Sequence, residues 1–109
     1  MQKMALIFVN GAEEDTATLM QTSSKACLGA YNKLGFMAKR SLKDFDIVAV
    51  HVLDLQTLLI VRDSMDKYGI NYFLATNDDK NPDPRKTVLA VGPVEPERLN
   101  KMSAGLRLF

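Results

Sequence analysis

The segment 16–31 constrains the fold more than any other stretch of this chain, because its spacing predicts an amphipathic helix with a face of small side chains. Ser23, Ala26 and Ala30 repeat at intervals of three and four residues, as the buried stripe of a helix does. Side chains this small allow a helix to lie close against a β-sheet. The full predicted stripe comprises Leu19, Met20, Ser23, Ala26, Cys27, Ala30 and Leu34.

The ends of this helix carry their own signals. Asp15 or Thr16 offers an oxygen that can cap its first turn, and Gly35 follows where a C′ glycine belongs. A second helix is expected from Asp54, its N-cap, to Tyr68, with Gly69 closing it.

Four apolar runs predict strands at 4–9, 45–52, 70–75 and 87–92, with Pro93 expected to end the fourth. Residues 4–9 and 47–50 are continuously apolar, which is typical of strands covered on both faces, so we expect the second strand to be central. A polar loop is expected at 76–86, a short helix at 96–102 and an edge strand at 106–109. This order predicts one α/β domain over 1–109, with three layers (α/β/α) and a mixed β-sheet.

Composition excludes several classes of function. The chain has 109 residues and a net charge of +1, so no global field attracts nucleic acid or membrane. A single cysteine rules out an internal disulfide. No apolar run approaches the roughly 20 residues that span a bilayer, and the first residues lack a signal-peptide pattern. We expect a cytoplasmic protein without membrane partners.

Several short strings, in this order of elements, match one known family over nearly the whole length. They are Lys3-Met4, Ser24 with Ala26, Leu28-Gly29-Ala30-Tyr31, Asp54 with Leu58, Thr87-Val88-Leu89, Gly92-Pro93, and Gly105-Leu106 with Leu108. In these strings the chain resembles the second class of peptidyl-tRNA hydrolases, which archaea and eukaryotes contain. The resemblance implies that family's three-layer fold with a mixed sheet, and a homodimer, because family members are often dimers.

The resemblance implies hydrolysis of the ester that joins a peptide to tRNA, without a metal or cofactor. Among the family's polar site positions, Ser24 and Thr87 are retained, and they are the candidate catalytic residues. The other site positions carry substitutions and are candidate binding residues only. Thr22 occupies a position where the family has glutamine, and Lys25 one where it usually has histidine. Asp79 takes the place of a family threonine and Ala75 that of a family aspartate.

The approach to the first helix also departs from the family. Where the family has a segment rich in lysine and glycine, this chain has Glu13, Glu14 and Asp15. These acids repel the phosphates of tRNA, whose binding depends on cationic side chains. Ester hydrolysis needs a base and an oxyanion donor, and the substitutions remove most candidates.

Other reactive side chains have simpler interpretations. Cys27 is expected to be a small buried residue, and His51, the only histidine, a packed strand residue. The acids Glu13, Glu14, Asp15, Asp78 and Asp79 could bind a cation if their loops meet, although helix capping and solvation explain them as well. A basic face of Lys33, Lys39, Arg40 and Lys43 is expected to be solvated rather than phosphate-binding.

Three hypotheses of function therefore stand. The first is a divergent relative that has lost hydrolysis and binds another ligand or partner at the old site. The second is an active peptidyl-tRNA hydrolase with a rearranged site, for which tRNA is the partner. The third is a metal-dependent activity on the acidic loops.

Overall fold

The computed structural model describes residues 2–9, 11–12, 15–34, 45–76, 80, 83–94 and 97. Within them the chain is an α/β domain of four strands and two helices, which confirms the predicted class. The elements are β1 (Gln2–Val9), α1 (Thr16–Lys33), β2 (Phe45–Val52), α2 (Leu55–Lys67), β3 (Tyr72–Ala75) and β4 (Val88–Val94), with a 3₁₀ turn at Pro84–Lys86 before β4. The predicted helix at 96–102 and strand at 106–109 fall almost wholly outside the described residues.

The four strands form one mixed sheet in the order β2-β1-β4-β3. β1 pairs parallel with β2 and antiparallel with β4, and β3 pairs antiparallel with β4. β1 and β4 are therefore the inner strands, and Met4, Ala5 and Ile7 of β1 are fully buried. The continuous apolar run at 4–9 correctly indicated a strand covered on both faces.

The prediction of a central β2 was wrong for the described sheet, where β2 lies at an edge. Its partner in the ladder is β1 alone, and Ile47 is 53 % exposed. Ile47 is exposed because α1 packs over β3 and β4 rather than over β2. An unbroken apolar run does not distinguish a buried strand from an edge strand beside a groove.

The sheet separates two apolar clusters, one beneath each helix, so the domain has the predicted three layers. On one face, Met4, Val88 and Ala90 pack with Ala26 and Ala30 of α1. On the other face, the alternate residues of the same strands pack against α2. That second cluster is built from Ala5, Ile7, Val9, Val52, Leu58, Val61, Met65, Ile70, Leu89, Val91 and Val94.

β4 runs through Pro93 to Val94, so the expectation that Pro93 ends the strand was wrong. Lys3 pairs with Val94 while Ala5 pairs with Val91, so β4 contains one more residue than β1 at this point. Such a bulge leaves a residue out of the ladder, and proline is tolerated there because it has no N–H to donate. The peptide bond between Gly92 and Pro93 is cis.

Both helices begin at an aspartate cap. Asp15 accepts hydrogen bonds from the backbone N–H of Thr18 at 3.2 Å and from its hydroxyl at 2.7 Å. Asp54 accepts the same pair from Thr57, each at 2.8 Å. These bonds satisfy backbone donors that the first turn of a helix leaves unpaired, which explains where α1 and α2 start.

The N-cap of α2 makes the stability of the fold depend on pH. The backbone and hydroxyl hydrogen bonds from Thr57 hold the pKa of Asp54 below its ordinary value of 3.8. A lowered folded-state pKa contributes stability above the unfolded value, and this contribution is lost as the pH falls through the folded value. We expect Asp54→Ala to lower the unfolding temperature at pH 7 and the difference from the parent to shrink below pH 3.8. Thermal unfolding followed by circular dichroism across this range measures both effects. A difference that is equally large at pH 2.5 would contradict the assignment.

Candidate functional site

Helix α1 lies close to the sheet because its inner face is made of small residues. Ala26 and Ala30 are fully buried, and a Cβ atom added at Gly29 would overlap the ring of Phe73 on β3. The prediction that small side chains bring this helix near the sheet is confirmed. Placing Met20 on the buried stripe was wrong, because its side chain is 66 % exposed.

A groove opens between α1 and the strands β1 and β2, and we call it the β2-side groove. It has a volume of about 410 Å³. Its walls are mostly apolar, and Ser23 and Ser24 supply hydroxyl groups. The groove exists because α1 does not cover β2. Its lining comprises Leu6, Ser23, Ser24, Cys27, Leu28 and Ile47.

A second groove, of about 460 Å³, lies on the opposite flank of α1 and is called the β3-side groove. Its polar groups are Lys25, Asn32 and Thr76. Its apolar part includes Phe73, packed beneath Gly29, and Leu28, which forms a ridge shared with the β2-side groove. Leu74 and Ala75 of β3 complete the lining.

The structure places the candidate site residues of α1 on different flanks of the helix. Successive residues of a helix point about 100° apart, so neighbours in sequence diverge. Ser24 therefore lines the β2-side groove, whereas Lys25 lines the β3-side groove. Thr22 is half-buried and donates its hydroxyl hydrogen to the carbonyl oxygen of Thr18 at 2.9 Å.

Thr87 lies immediately before β4 and is 1 % exposed. Its hydroxyl donates to the carbonyl oxygen of Asp83 at 2.8 Å and lies 3.0 Å from the hydroxyl of Thr76. A hydroxyl carries a single proton, so Thr76 must donate in the second bond. The Thr87 hydroxyl is therefore engaged on both sides, and Thr76 connects it to the β3-side groove rather than to Ser24.

Of the two other reactive side chains, Cys27 belongs to the lining of the β2-side groove and His51 does not. Cys27 is half-buried in its lining, and burial raises the pKa of its thiol, so the nucleophilic thiolate is disfavoured. His51 is exposed on β2, beside Phe8 in the parallel register, and the two rings stack with centroids 5.8 Å apart. The expectation that His51 is packed on its strand holds for one side of the ring.

Most of the acidic residues of the predicted cation site lie outside the described residues. Glu13, Glu14, Asp78 and Asp79 lie outside the described residues, and Asp15 caps α1. In the described part of the chain, no three histidine, cysteine, aspartate or glutamate side chains are grouped so that they could hold a metal ion. The cation hypothesis and the role of Asp79 stay predictions.

Lys33 is the member of the predicted basic face that the structure describes; Lys39, Arg40 and Lys43 lie outside its ranges. Its ammonium group donates to the carbonyl oxygen of Tyr72 at 2.5 Å and lies 4.3 Å from the centre of the Tyr72 ring. The Tyr72 hydroxyl donates to Asp66, and burial, followed by the Asp66 charge, raises the pKa of the phenol. Lys33 therefore ties α1 to β3.

Sequence reasoning missed three residues that shape this region. Phe73 and Asn32 line the β3-side groove, and Asn71 connects α1 to β4. Phe73 and Asn71 appeared only as members of a strand-like run. Asn32 lies seven residues, or two helical turns, beyond Lys25, a spacing that could have placed both on one flank.

The described residues thus define an α/β domain with two ligand-sized grooves beside its first helix. No protein-family model matches the chain, and a search of curated proteins finds no match. Among the described residues, neither helix is both long enough and apolar enough to traverse a bilayer.

Proposed function

We propose that this chain is a divergent relative of the second class of peptidyl-tRNA hydrolases that has lost ester hydrolysis and binds another ligand beside α1. The observation that carries the proposal is the separation of the two retained polar residues. Ser24 opens into the β2-side groove, whereas Thr87 is buried and linked to the β3-side groove through Thr76.

The chemistry of the two grooves supports loss of hydrolysis. Ester cleavage requires a base or positioning group for water and a donor aimed at the developing oxyanion. Neither described groove lining contains a carboxylate or an imidazole. Burial raises the pKa of the Cys27 thiol, which disfavours the nucleophilic thiolate.

The dimensions of the grooves support ligand binding. Small-molecule sites typically have volumes of about 300–1,000 Å³, with mostly apolar walls and a few polar groups that fix orientation. The β2-side and β3-side grooves, at about 410 and 460 Å³, fall in this range. Both combine apolar walls with two or three polar side chains.

The direct test is release of N-acetyl-phenylalanine from N-acetyl-phenylalanyl-tRNA by the purified protein. We expect no release above the rate without protein, because the described lining residues of both grooves include no carboxylate or imidazole that could act as a base. An active peptidyl-tRNA hydrolase assayed beside it shows that the substrate is cleavable, and circular dichroism shows that the tested chain is folded.

Two variants make this result interpretable. Ser24→Ala removes an exposed hydroxyl, and Thr87→Ser keeps the buried hydroxyl while removing a methyl group. Release of the amino acid that Ser24→Ala abolishes would overturn the proposal and favour an active enzyme with a rearranged site. Release that both variants leave unchanged would also overturn it, and would place the catalytic groups elsewhere.

A further inference from the structure

The β3-side groove has an uneven charge distribution that selects among ligands. Lys25 is its one charged group among the described lining residues, and its side chain is exposed. The ammonium group of Lys25 forms no hydrogen bond or ion pair with any other described residue. Asn32 and Thr76 add neutral hydrogen-bonding groups. The described lining of this groove therefore carries one positive charge and no negative charge.

The remaining wall of the groove is apolar and partly aromatic. The Phe73 ring packs beneath Gly29, where the absence of a side chain leaves room for it, and its own side chain is only half-buried. Leu28 is 62 % exposed on the ridge of α1 above the same groove. Covering these surfaces removes apolar area from water, which favours a ligand with an apolar body.

We propose that the β3-side groove binds a small molecule with one carboxylate on an aromatic body, an inference that rests on the ligand-binding function proposed above. The carboxylate pairs with Lys25, and the aromatic body covers Phe73 and Leu28. A lysine ammonium is a compact single charge, whereas phosphate groups are usually matched by several cations or by the planar fork of arginine. One lysine together with the amide donor of Asn32 suits a monoanion.

Two fluorescent probes that differ by a single anionic group test this inference. 8-Anilinonaphthalene-1-sulfonate carries a negative charge, and N-phenyl-1-naphthylamine is its uncharged analogue. We expect the charged probe to bind the full chain about fivefold more tightly, the effect of one partly exposed ion pair. The difference should diminish in 1 M NaCl because salt screens exposed charges. 2-Naphthoate should displace the charged probe, and 2-naphthol should compete less well.

Matched lysine variants locate the binding site. Lys25→Met should raise the dissociation constant of the charged probe about fivefold and leave that of the uncharged probe unchanged. Lys67→Met is the control, because Lys67 lies on α2, across the sheet from this groove. Lys25→Arg should retain binding of the charged probe. Thermal unfolding of each variant excludes probe binding to partly unfolded protein.

The outcomes separate this inference from the proposed function. The groove assignment would be overturned if Lys25→Met and Lys67→Met weakened binding of the charged probe equally, or if Lys25→Met did not weaken it. If the protein also failed to hydrolyse N-acetyl-phenylalanyl-tRNA, the proposed loss of activity would still stand. Hydrolysis together with Lys25-dependent probe binding would instead overturn the loss of activity and support the groove assignment.

Discussion

Replacing Gly92 with alanine is expected to lower the free energy of unfolding by about 3–5 kcal/mol, combining an unfavourable backbone conformation with overpacking. Gly92 has a φ of +106°, a conformation that residues with a side chain rarely adopt. A Cβ atom there would lie 2.7 Å from the carbonyl oxygen of Lys3 and 2.9 Å from the backbone nitrogen of Val94. Backbone atoms in a paired sheet cannot move aside as a flexible side chain can, so the bulge of β4 would have to distort. Equilibrium unfolding in urea measures the loss.

Gly69 provides the matched control for this substitution. It also has a positive φ, +70°, but a Cβ atom added there would meet nothing within 4 Å. Gly69→Ala should therefore lower the free energy of unfolding only by the cost of placing a side chain at a positive φ, about 1–2 kcal/mol. Equal losses at the two positions would show that the close approach of Lys3 and Val94 contributes nothing and would refute the explanation given for Gly92.

Local signals in the sequence predicted the elements of this fold well. Asp15 and Asp54 each precede a helix by one residue and cap it, because the determinants of a cap lie within one helical turn. The small residues Ala26 and Ala30 correctly indicated the face of α1 that packs on the sheet. Propensity and periodicity act over a few residues, and these features depend on nothing beyond that range.

The features that failed depend on partners distant in the chain. Residues 47–50 predicted a central strand, but the position of a strand in a sheet depends on which other strands pair with it. β2 lies at the described edge because, among the described strands, only β1 pairs with it. Pro93 likewise seemed to end β4, whereas the extra residue opposite Lys3 and Ala5 lets the strand continue. Bulges arise from pairing, so a single strand does not reveal them.

The candidate site could be predicted in part. The resemblance to a family selected Ser24, Lys25 and Thr87 as candidates, but alignment along a sequence does not show on which flank of a helix each side chain lies. The helical rotation between Ser24 and Lys25 separates them into two grooves. Phe73 supplies the aromatic surface of the β3-side groove, and its role follows only from the packing of β3 against Gly29.

Asn71 is the residue through which α1, the start of β3 and the bulge of β4 are joined. Its side-chain amide donates to the carbonyl oxygens of Ala30, at 2.7 Å, and Gly92, at 2.9 Å. Its backbone carbonyl accepts the N–H of Gly92 at 2.7 Å. The half-buried side chain thus satisfies two carbonyl groups from elements far apart in sequence, and Ala30 lies in the helix that borders both grooves.

Asn71→Asp is expected to lower the free energy of unfolding by about 2–4 kcal/mol, because two hydrogen bonds are lost and two carbonyl oxygens then face a carboxylate. Asn71→Ala removes the bonds without adding charge and should cost less, about 1–3 kcal/mol. Asn32→Asp makes the same chemical change at an exposed position of α1 and serves as the control. Urea unfolding of the three variants at pH 7 gives the ranking.

The pH dependence of Asn71→Asp tests the hydrogen-bond geometry itself. The facing carbonyl oxygens disfavour the charged form, so the pKa of the introduced carboxyl should be raised in the folded state above its ordinary value of about 3.9. The destabilisation is then complete above that raised pKa and decreases as the pH falls through it. The protonated carboxyl can donate one hydrogen bond, to Ala30 or to Gly92, and partly replaces the amide. A destabilisation that stays constant from pH 7 to pH 3.5 would show that the two carbonyl oxygens do not depend on Asn71 as their donor.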